Sequence, residues 1–345
     1  MAELVSMRKA YGEALVALGR ANPDVVVLSA DVSNSDFSYM FREAFPDRFY
    51  NVGIAEQCLV DVAVGLAYSG KIPFANTFAF LFATRALEMV RTHLCYGDAN
   101  VKLMAAYAGL SDSFDGPTHH SITDVATMRS LPHMTVVVPS DPLGVARLLP
   151  QVAEWPGPVF FRLNRNEVPV LFDDAGSGAG RSYAPQIGKA VTLRAGDDVT
   201  LVCCGLMVSR CLEAAEALAN EGLSARVLEM HTIKPLDVDA ILEAARETGA
   251  IVTAEEHSIV GGLGGAVAET VAGECPVPVK RVGLPDCFAE TGPYDAILDR
   301  YGMSVEHVIN AAKRAVAMKL SFRAQMDVLI HGIYADIDPH RHTAD

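Results

Sequence analysis

Short β-branched runs alternate with segments of helical periodicity along most of this 345-residue chain. Such alternation predicts parallel strands joined by crossover helices, the arrangement of a doubly wound α/β fold. The run DVVVLSA over residues 24–30 is typical of a buried parallel strand. The first half is predicted to contain helices over residues 6–20, 55–69 and 84–95, strands over residues 24–30, 101–106 and 135–138, and a further helix capped by Ser140 or Asp141.

A stretch rich in glycine, serine and alanine, residues 173–185, interrupts the alternation. It lacks a hydrophobic period, so we interpret it as an interdomain linker. We therefore predict a first domain over residues 1–172, a second and smaller α/β domain over residues 186–320, and a C-terminal tail over residues 321–345. The second domain is predicted to contain strands over residues 198–204, 225–229 and 250–254 and helices over residues 208–220, 235–247 and 261–271.

The composition narrows the classes of function. The 42 acidic residues outnumber the 28 basic ones, which argues against nucleic-acid binding. Seven cysteines without CxxC spacing argue against a disulfide framework or a structural zinc site and predict reduced thiols. The first residues do not resemble a signal peptide, and no apolar run approaches the roughly 20 residues that span a bilayer. We expect a cytoplasmic protein that does not bind membranes.

In an open parallel sheet, ligands bind at the carboxyl ends of the strands, so the loops that follow the predicted strands are the candidate sites. The first such loop places Glu56 in the first turn of a largely apolar helix. A glutamate at that position usually compensates the helix dipole. Alternatively, burial of the helix would give the carboxylate a proton-sharing role, because a desolvated carboxylate needs a partner.

The second and fourth loops each allow a structural and a functional interpretation. Phe78, Phe80 and Phe82 either pack in the core or form an apolar slot for a planar heteroaromatic ring. Arg162, at the end of a predicted strand, either makes a surface ion pair or binds a phosphate or carboxylate.

The third loop contains the turn Asp115-Gly116-Pro117, followed by His119 and His120. It is either an exposed, capped turn or the source of a proton-transfer group. Adjacent histidines also raise the possibility of a metal site. No second ligand cluster has recognisable spacing, so no metal ligands are predicted.

The order and spacing of these segments resemble the C-terminal half of the transketolase family, over nearly all of residues 5–320. The resemblance is carried by the segments VGIAEQ, TF…R, DGPTHH, MRSLPHMTVVVPSD and FFR in the first domain, and by VLEMHTIKPLD, TAEEHSIVGGLGGAVAE and LPDCFAETGPYDAILDRYG in the second.

The resemblance implies a thiamin diphosphate enzyme whose cofactor lies between two protein modules. This chain resembles the module that binds the aminopyrimidine, together with the family's C-terminal domain. A GDG…N signature, with which the other module holds the diphosphate and Mg²⁺, is not found here. The resemblance therefore implies an N-terminal partner subunit that holds the diphosphate and metal, and an α₂β₂ assembly with homodimeric contacts.

The resemblance also assigns roles to individual residues. Glu56 matches the glutamate that shares a proton with N1′ of the aminopyrimidine, and His119 matches a second catalytic residue. The further matches are Phe78, Leu81, Phe82 and Arg85 for the cofactor, and Asp115, His119, Arg162, Asp31 and Tyr107 for the substrate, with Arg162 expected to bind a substrate phosphate.

Two departures from the family pattern concern the pocket. Tyr107 stands where transketolases have a histidine that helps to bind the donor, and Leu81 stands where a second aromatic residue is usual, with Phe80 and Phe82 beside it. These changes preserve thiamin chemistry but put the standard pentose-phosphate substrates in doubt.

The resemblance thus implies transfer of a two-carbon ketol unit from a ketose, expected to be a phosphate, to an aldose. The alternatives are a carboligase similar to deoxyxylulose phosphate synthase, the beta subunit of a 2-oxo-acid dehydrogenase, and a non-catalytic subunit that keeps the fold. The joint presence of Glu56, Asp115, His119 and Arg162 argues against the last.

Overall fold

The fold is that of a computed structural model, and the structure describes residues 3–172 and 183–336. The strands are β1 Leu4–Ser6, β2 Val25–Ser29, β3 Phe49–Asn51, β4 Ile72–Phe78, β5 Lys102–Ala106, β6 Thr135–Val137, β7 Val159–Arg162, β8 Glu167–Pro169, β9 Val191–Arg194, β10 Val199–Cys203, β11 Ala225–Glu229, β12 Thr232–Lys234, β13 Ile251–Ser258 and β14 Val279–Leu284. The α-helices are α1 Met7–Ala21, α2 Ser33–Asp36, α3 Tyr39–Ala44, α4 Glu56–Tyr68, α5 Ala79–Ala83, α6 Leu87–Met89, α7 Asp124–Ser130, α8 Pro142–Glu154, α9 Met207–Asn220, α10 Val238–Thr248, α11 Leu263–Glu274, α12 Tyr294–Arg300 and α13 Val305–Asp336. A 3₁₀ turn, Pro46–Arg48, precedes β3, and a π-helical segment, Val90–Cys95, continues α6.

A seven-stranded sheet in the order β12-β6-β7-β5-β4-β2-β3 forms the first half of the molecule. Its pairs are parallel except that β12 runs antiparallel to β6. Strand β2, which lies between β3 and β4, is buried on both faces, which explains its uninterrupted apolar run. Because β3, β2, β4, β5 and β7 are parallel, their carboxyl ends meet at one edge of the sheet, where the predicted sites lie.

A five-stranded sheet in the order β14-β13-β10-β11-β9 forms the second half, and only β9 within it runs antiparallel to its neighbour. The two halves share core and sheet. Strand β12, from the second half of the sequence, completes the first sheet. One hydrophobic cluster also contains Val136 and Val138 from the first half with Leu228 and Leu263 from the second. The α/β class with two parallel sheets is confirmed.

The segment predicted as a helix over residues 84–95 differs from the structure. Helix α5 begins at Ala79, the chain leaves helical geometry at Thr84, and α6 begins at Leu87. The Thr84 hydroxyl donates to the Phe80 carbonyl at 2.7 Å, a side-chain bond that competes with the helical pattern. This break turns Arg85 towards the sheet edge.

Helix ends follow the capping residues. Asp141, one of the two predicted caps, accepts a hydrogen bond from the Gly144 amide at 2.7 Å, so the helix begins at Pro142. The helix predicted from residue 235 begins at Val238, because Asp237 caps it through the Ala240 amide.

The predicted linker and tail are described in part. Residues 173–182 of the linker and 337–345 of the tail lie outside the described residues. Tyr183 at the end of the predicted linker is buried and stacks on Phe172, with ring centroids 3.7 Å apart. Helix α13 crosses residue 320 without interruption and ends at Asp336, so the start of the predicted tail is helical. No helix in the described part of the chain is long and apolar enough to cross a membrane.

Candidate active site

Glu56 is the first residue of α4 and lies at the carboxyl edge of the first sheet. The chain turns into α4 after β3, where Gly53 has a φ of +75° and its amide donates to Asn51 Oδ1 at 2.9 Å. The Glu56 side chain is only 1% exposed, and its Oε2 accepts from Arg85 Nη1 at 2.9 Å. A buried carboxylate with one charged partner fits the proton-sharing interpretation better than simple dipole compensation at a surface.

Aromatic side chains line the next part of the edge. Phe78 ends β4, and its ring lies 4.3 Å from the Tyr107 ring and 6.5 Å from the His119 ring, measured between centroids. Phe80 lies 5.3 Å from His119. Leu81 is buried. The structure thus brings Phe78, Tyr107 and His119 together at this edge.

Phe82 lies elsewhere. Its side chain is fully buried in the hydrophobic core and meets Phe160 edge-on, with centroids 6.4 Å apart. Phe78 is the last residue of β4, so the pleat of the strand sets the direction of its side chain. Phe82 lies on α5, so the helix sets the direction of its side chain, and that face of the helix packs on the core. Of the two interpretations of the phenylalanines, core packing describes Phe82.

The loop with Asp115 and His119 is held by the second half of the chain. Gly116 has a φ of +81°, and a Cβ atom on it would lie 2.2 Å from the Thr291 hydroxyl, so this turn requires glycine. The Gly292 amide donates to the Ser113 carbonyl at 3.1 Å. Asp115 is exposed and His119 is half-buried, so both are accessible at the edge.

The histidines of this loop differ in their surroundings. His119 Nδ1 lies 3.0 Å from the Thr118 hydroxyl. His120 is buried, and burial lowers its pKa below the ordinary value. Within residues 3–172 and 183–336, no group of three or more histidine, cysteine, aspartate or glutamate side chains is arranged to hold a metal.

Asp31 follows β2 and lies on the same edge. It has a φ of +61° and is exposed. Its Oδ1 accepts from Asn51 Nδ2 at 2.7 Å, which links the loops after β2 and β3. The structure therefore places Asp31 on the Glu56 side of the edge.

Arg162 is in the protein interior, contrary to the expectation that it grips a substrate phosphate. Its side chain is 4% exposed and forms a bidentate pair with Asp124, at 2.8 and 3.2 Å. It also donates to the Ser121 and Glu256 carbonyls. Arg162 is the last residue of β7, where the alternation of side chains aims it inward, and its hydrogen bonds join the two halves of the molecule.

Arg165, three residues later, has a partly exposed side chain that lies beside Tyr107. Its Nη1 donates to Asp112 Oδ1 at 2.8 Å, and its guanidinium lies 5.1 Å from the centroid of the Tyr107 ring. Arg8 from α1 lies 5.3 Å from the centroid of the same ring. Sequence reasoning missed Arg165, Asp112 and Arg8. For Arg165 a usable signal existed, because it follows the strand and so belongs to the loop rather than the pleat.

Asp112 is buried beside this pair of arginines. Burial, followed by a side-chain hydrogen bond with Asp115, raises the pKa of Asp112 to about 7.

Helix α4 exposes apolar side chains next to Glu56. Ile54 in the preceding turn is 75% exposed, and Val62 and Tyr68 on the helix are 39% and 65% exposed. The exposed positions of α4 also include Gln57 and Asp61, so these three side chains are apolar positions within a mixed surface.

Two family profiles match most of the chain: the transketolase pyrimidine binding domain over residues 3–170 and the transketolase C-terminal domain over residues 188–308. The chain is 39% identical to a putative transketolase C-terminal section from Methanocaldococcus jannaschii, over 88% of this chain and 93% of that protein. It is 38% identical to the 6-deoxy-6-sulfo-D-fructose transketolase subunit SqwH from Clostridium sp. strain MSTE9, over 91% of this chain and 95% of that protein.

A solved structure agrees with these relatives. A split-gene transketolase, in an inactive beta4 tetramer, matches with a TM-score of 0.84 and 45% identity over 91% of this chain and 99% of that one. The family profiles, the relatives and the solved structure agree with one another, and they show that this chain belongs to the transketolase family.

Proposed function

We propose that this chain is the pyrimidine-binding subunit of a two-component, thiamin diphosphate-dependent transketolase, which moves a two-carbon ketol unit from a ketose to an aldose. The observation that carries the proposal is Glu56: a carboxylate 1% exposed, paired with Arg85, at the carboxyl edge of the sheet that also contains Phe78.

The residues present fit the aminopyrimidine of thiamin diphosphate. Glu56 Oε2 accepts a hydrogen bond from Arg85. Oε1 accepts none from the described residues, so it can accept a hydrogen bond from an N–H group of a bound ring. Phe78 and Leu81 offer apolar surface to a planar ring. When bound, the cofactor supplies a nucleophilic carbon that carries the transferred unit.

The chain's own residues would then bias protons and orient the substrate. Glu56 Oε1 would share a proton with a ring nitrogen of the bound cofactor, and Arg85 holds the carboxylate in place through Oε2. The Thr118 hydroxyl fixes the His119 ring through Nδ1, so Nε2 is left to donate to, or accept from, a substrate oxygen. Asp115, exposed beside it, would bind a substrate hydroxyl.

The partner in this proposal is an N-terminal transketolase subunit that holds the diphosphate and Mg²⁺, in an α₂β₂ assembly with homodimeric contacts. Three observations support it: the sequence lacks a GDG…N signature, similar proteins are split-transketolase subunits, and Ile54, Val62 and Tyr68 are exposed apolar side chains on α4 and the turn before it. All seven cysteines are free thiols, which supports a reducing cytoplasmic environment.

The decisive experiment combines the chain with its partner subunit, thiamin diphosphate and Mg²⁺, and supplies ketoses with an aldose acceptor or pyruvate. We expect ketol transfer without release of CO₂. Glu56→Gln should lower turnover by about 10²- to 10⁴-fold, the range for a lost acid–base group, with an unchanged unfolding transition. Glu13→Gln, at an exposed glutamate of α1, is the control. CO₂ release from pyruvate, or full activity of Glu56→Gln, would contradict the proposal.

The partner surface has a separate test. Val62→Lys puts a charge on the exposed face of α4, and we expect it to weaken association with the partner by about tenfold or more, as for a buried interface residue. Leu320→Lys, at a residue 58% exposed on α13, is the matched control. Association is measured by analytical ultracentrifugation, and equal affinity of both variants would place the partner elsewhere.

A further inference from the structure

The loop that contains Asp115 and His119 is closed at its base. The Ser121 amide donates to the Gly109 carbonyl at 2.7 Å, so the two ends of the loop meet. Leu110, next to this closure, is buried, whereas Asp115 further along the loop is exposed. The position of the exposed part therefore depends on what holds the base.

Glu256, on β13 in the second half of the chain, binds that base. It is buried, and its Oε1 accepts from the Leu110 amide at 2.7 Å while its Oε2 accepts from Asn164 Nδ2 at 3.1 Å. Gly109 bends closely over the carboxylate: it has a φ of +59°, and a Cβ atom on it would lie 2.4 Å from Glu256 Oε1. The base of the loop is thus shaped around this one carboxylate.

The other end of the loop is connected to the same residue through Arg162. Arg162 Nη2 donates to the Ser121 carbonyl at 3.0 Å and to the Glu256 carbonyl at 2.9 Å. Glu256 therefore binds the first end of the loop through its side chain and is linked to the last end through its backbone. Because the backbone of Glu256 is itself fixed, its carboxylate is a rigid anchor for Leu110.

Glu255, the preceding residue of β13, is equally buried but binds a different part of the molecule. It accepts from the amides of Leu263 and Gly264 in α11, at 2.7 and 2.8 Å. Successive side chains of a strand point to opposite faces, so Glu255 binds the second half of the chain and Glu256 binds the first. The two neighbours thus separate a helix cap from a contact with the loop.

We propose that Glu256 is a positioning residue for the reaction: it fixes the base of the loop so that Asp115 and His119 keep the geometry that binds the ketose donor. Without Glu256, the buried Leu110 amide has no acceptor, and the loop must shift to satisfy it. Small displacements of substrate-binding groups lower the rate strongly. The inference rests on the proposed ketol transfer, in which Asp115 and His119 contact the substrate.

The kinetic test uses the complex with the partner subunit, thiamin diphosphate and Mg²⁺, and takes as donor whichever of D-fructose and D-fructose 6-phosphate the wild type uses better. Glu256→Ala should lower kcat/KM for the donor by about 10- to 100-fold, the range for a buried group that loses its hydrogen-bond partner. Glu256→Gln keeps an oxygen for the Leu110 amide and should stay within about threefold of the wild type. Glu255→Ala is the matched control and should stay within about twofold, because it acts at an independent site. Equal losses in Glu255→Ala and Glu256→Ala, or an unchanged kcat/KM in a folded Glu256→Ala, would overturn the inference.

Cofactor affinity separates positioning of the loop from general damage. Glu56 and Phe78 lie on α4 and β4, outside the loop. Isothermal titration of thiamin diphosphate with Mg²⁺ into the complex should therefore give the same Kd for Glu256→Ala as for the wild type. A weaker affinity in this variant would show that the substitution disturbs the whole subunit, and would contradict a role confined to the loop.

Hydrogen exchange resolved to single amides tests the contact without turnover, in the same complex. We expect slow exchange at the Leu110 amide of the wild type, and in Glu256→Ala an exchange that is faster by about tenfold or more at Leu110 but unchanged in α11. Exchange at Leu110 of the wild type at the rate of an unstructured peptide would overturn the inference, and this measurement holds even if Glu256→Ala does not fold. A complex that transfers no ketol unit refutes the proposed function, whereas the exchange rates still decide whether Glu256 fixes the loop.

Discussion

The carboxyl edges of the two sheets contain acidic residues in similar positions, but those residues have different surroundings. On the first sheet, Asp31 is exposed, whereas Glu56 is only 1% exposed and has Arg85 as its charged partner. On the second sheet, Glu229, Glu255 and Glu256 are at most 4% exposed. Glu229 and Glu256 bind groups of the first half of the chain, and Glu255 binds amides of the second half.

Glu255 and Glu256 accept hydrogen bonds from protein donors, whereas Glu229 Oε2 has no partner among the described residues. Glu255 accepts from the amides of Leu263 and Gly264 at 2.7 and 2.8 Å, which caps α11. Glu256 accepts from the Leu110 amide at 2.7 Å, and so connects the second sheet to the loop after β5. Polar residues at strand ends are thus available for chemistry at one edge and for structural cohesion at the other.

Arg162 sharpens this comparison, because it lies on the first sheet but belongs to the buried group. Arg162→Met leaves Asp124 without its partner in the interior, and we expect it to lower the free energy of unfolding by about 3–5 kcal/mol. Arg300→Met, which removes an exposed pair with Glu290, should cost less than about 1 kcal/mol. Urea denaturation measures both, and equal effects would show that the Arg162 pair is no more structural than a surface pair.

The pH dependence of the free energy of unfolding tests whether Glu229 is buried as the structure shows. Burial raises its pKa from 4.5 to about 7, against the hydrogen bonds from Ser140 and Tyr183 that favour the charged form. The folded state therefore binds a proton that the unfolded chain releases above about pH 4.5, so stability is full below that pH and falls until about pH 7.

Glu229→Gln removes this contribution. The free energy of unfolding of the variant, relative to wild type, should rise between pH 5 and pH 7 by up to about 3 kcal/mol, since one pKa unit corresponds to about 1.4 kcal/mol. Urea midpoints at several pH values provide the measurement. A constant difference between the two proteins would mean that Glu229 is charged in the fold throughout that range.

Asp31 represents the open edge and should show the smallest effect. Its carboxylate is exposed, and an asparagine tolerates the left-handed φ and still accepts from Asn51. Asp31→Asn should therefore change the free energy of unfolding by less than about 0.5 kcal/mol. A thermal melt suffices to check this, and a marked loss of stability would place Asp31 with the structural residues.

The sequence predicted strands such as β2, β5 and β10 and the position of Glu56 in the first turn of a helix, because strand periodicity and loop position depend on local order along the chain. It predicted the wrong surroundings for Arg162. This residue ends β7, and its position in the sequence does not show that its side chain points into the interior. It missed Asp112 and Arg8, because Asp112 meets Arg165 across 53 residues and Arg8 meets Tyr107 across 99. Such encounters depend on the register of non-neighbouring segments.

By itself, the sequence determined the α/β class, the order of the loops that follow the parallel strands and the place of Glu56 in the first turn of a helix, since each follows from periodicity and from residues close together in the chain. Only the tertiary structure decided which charged residues face the cleft and which join the two halves. That decision depends on burial: the same carboxylate or guanidinium is a chemical group beside open space and a structural one where protein donors and acceptors surround it.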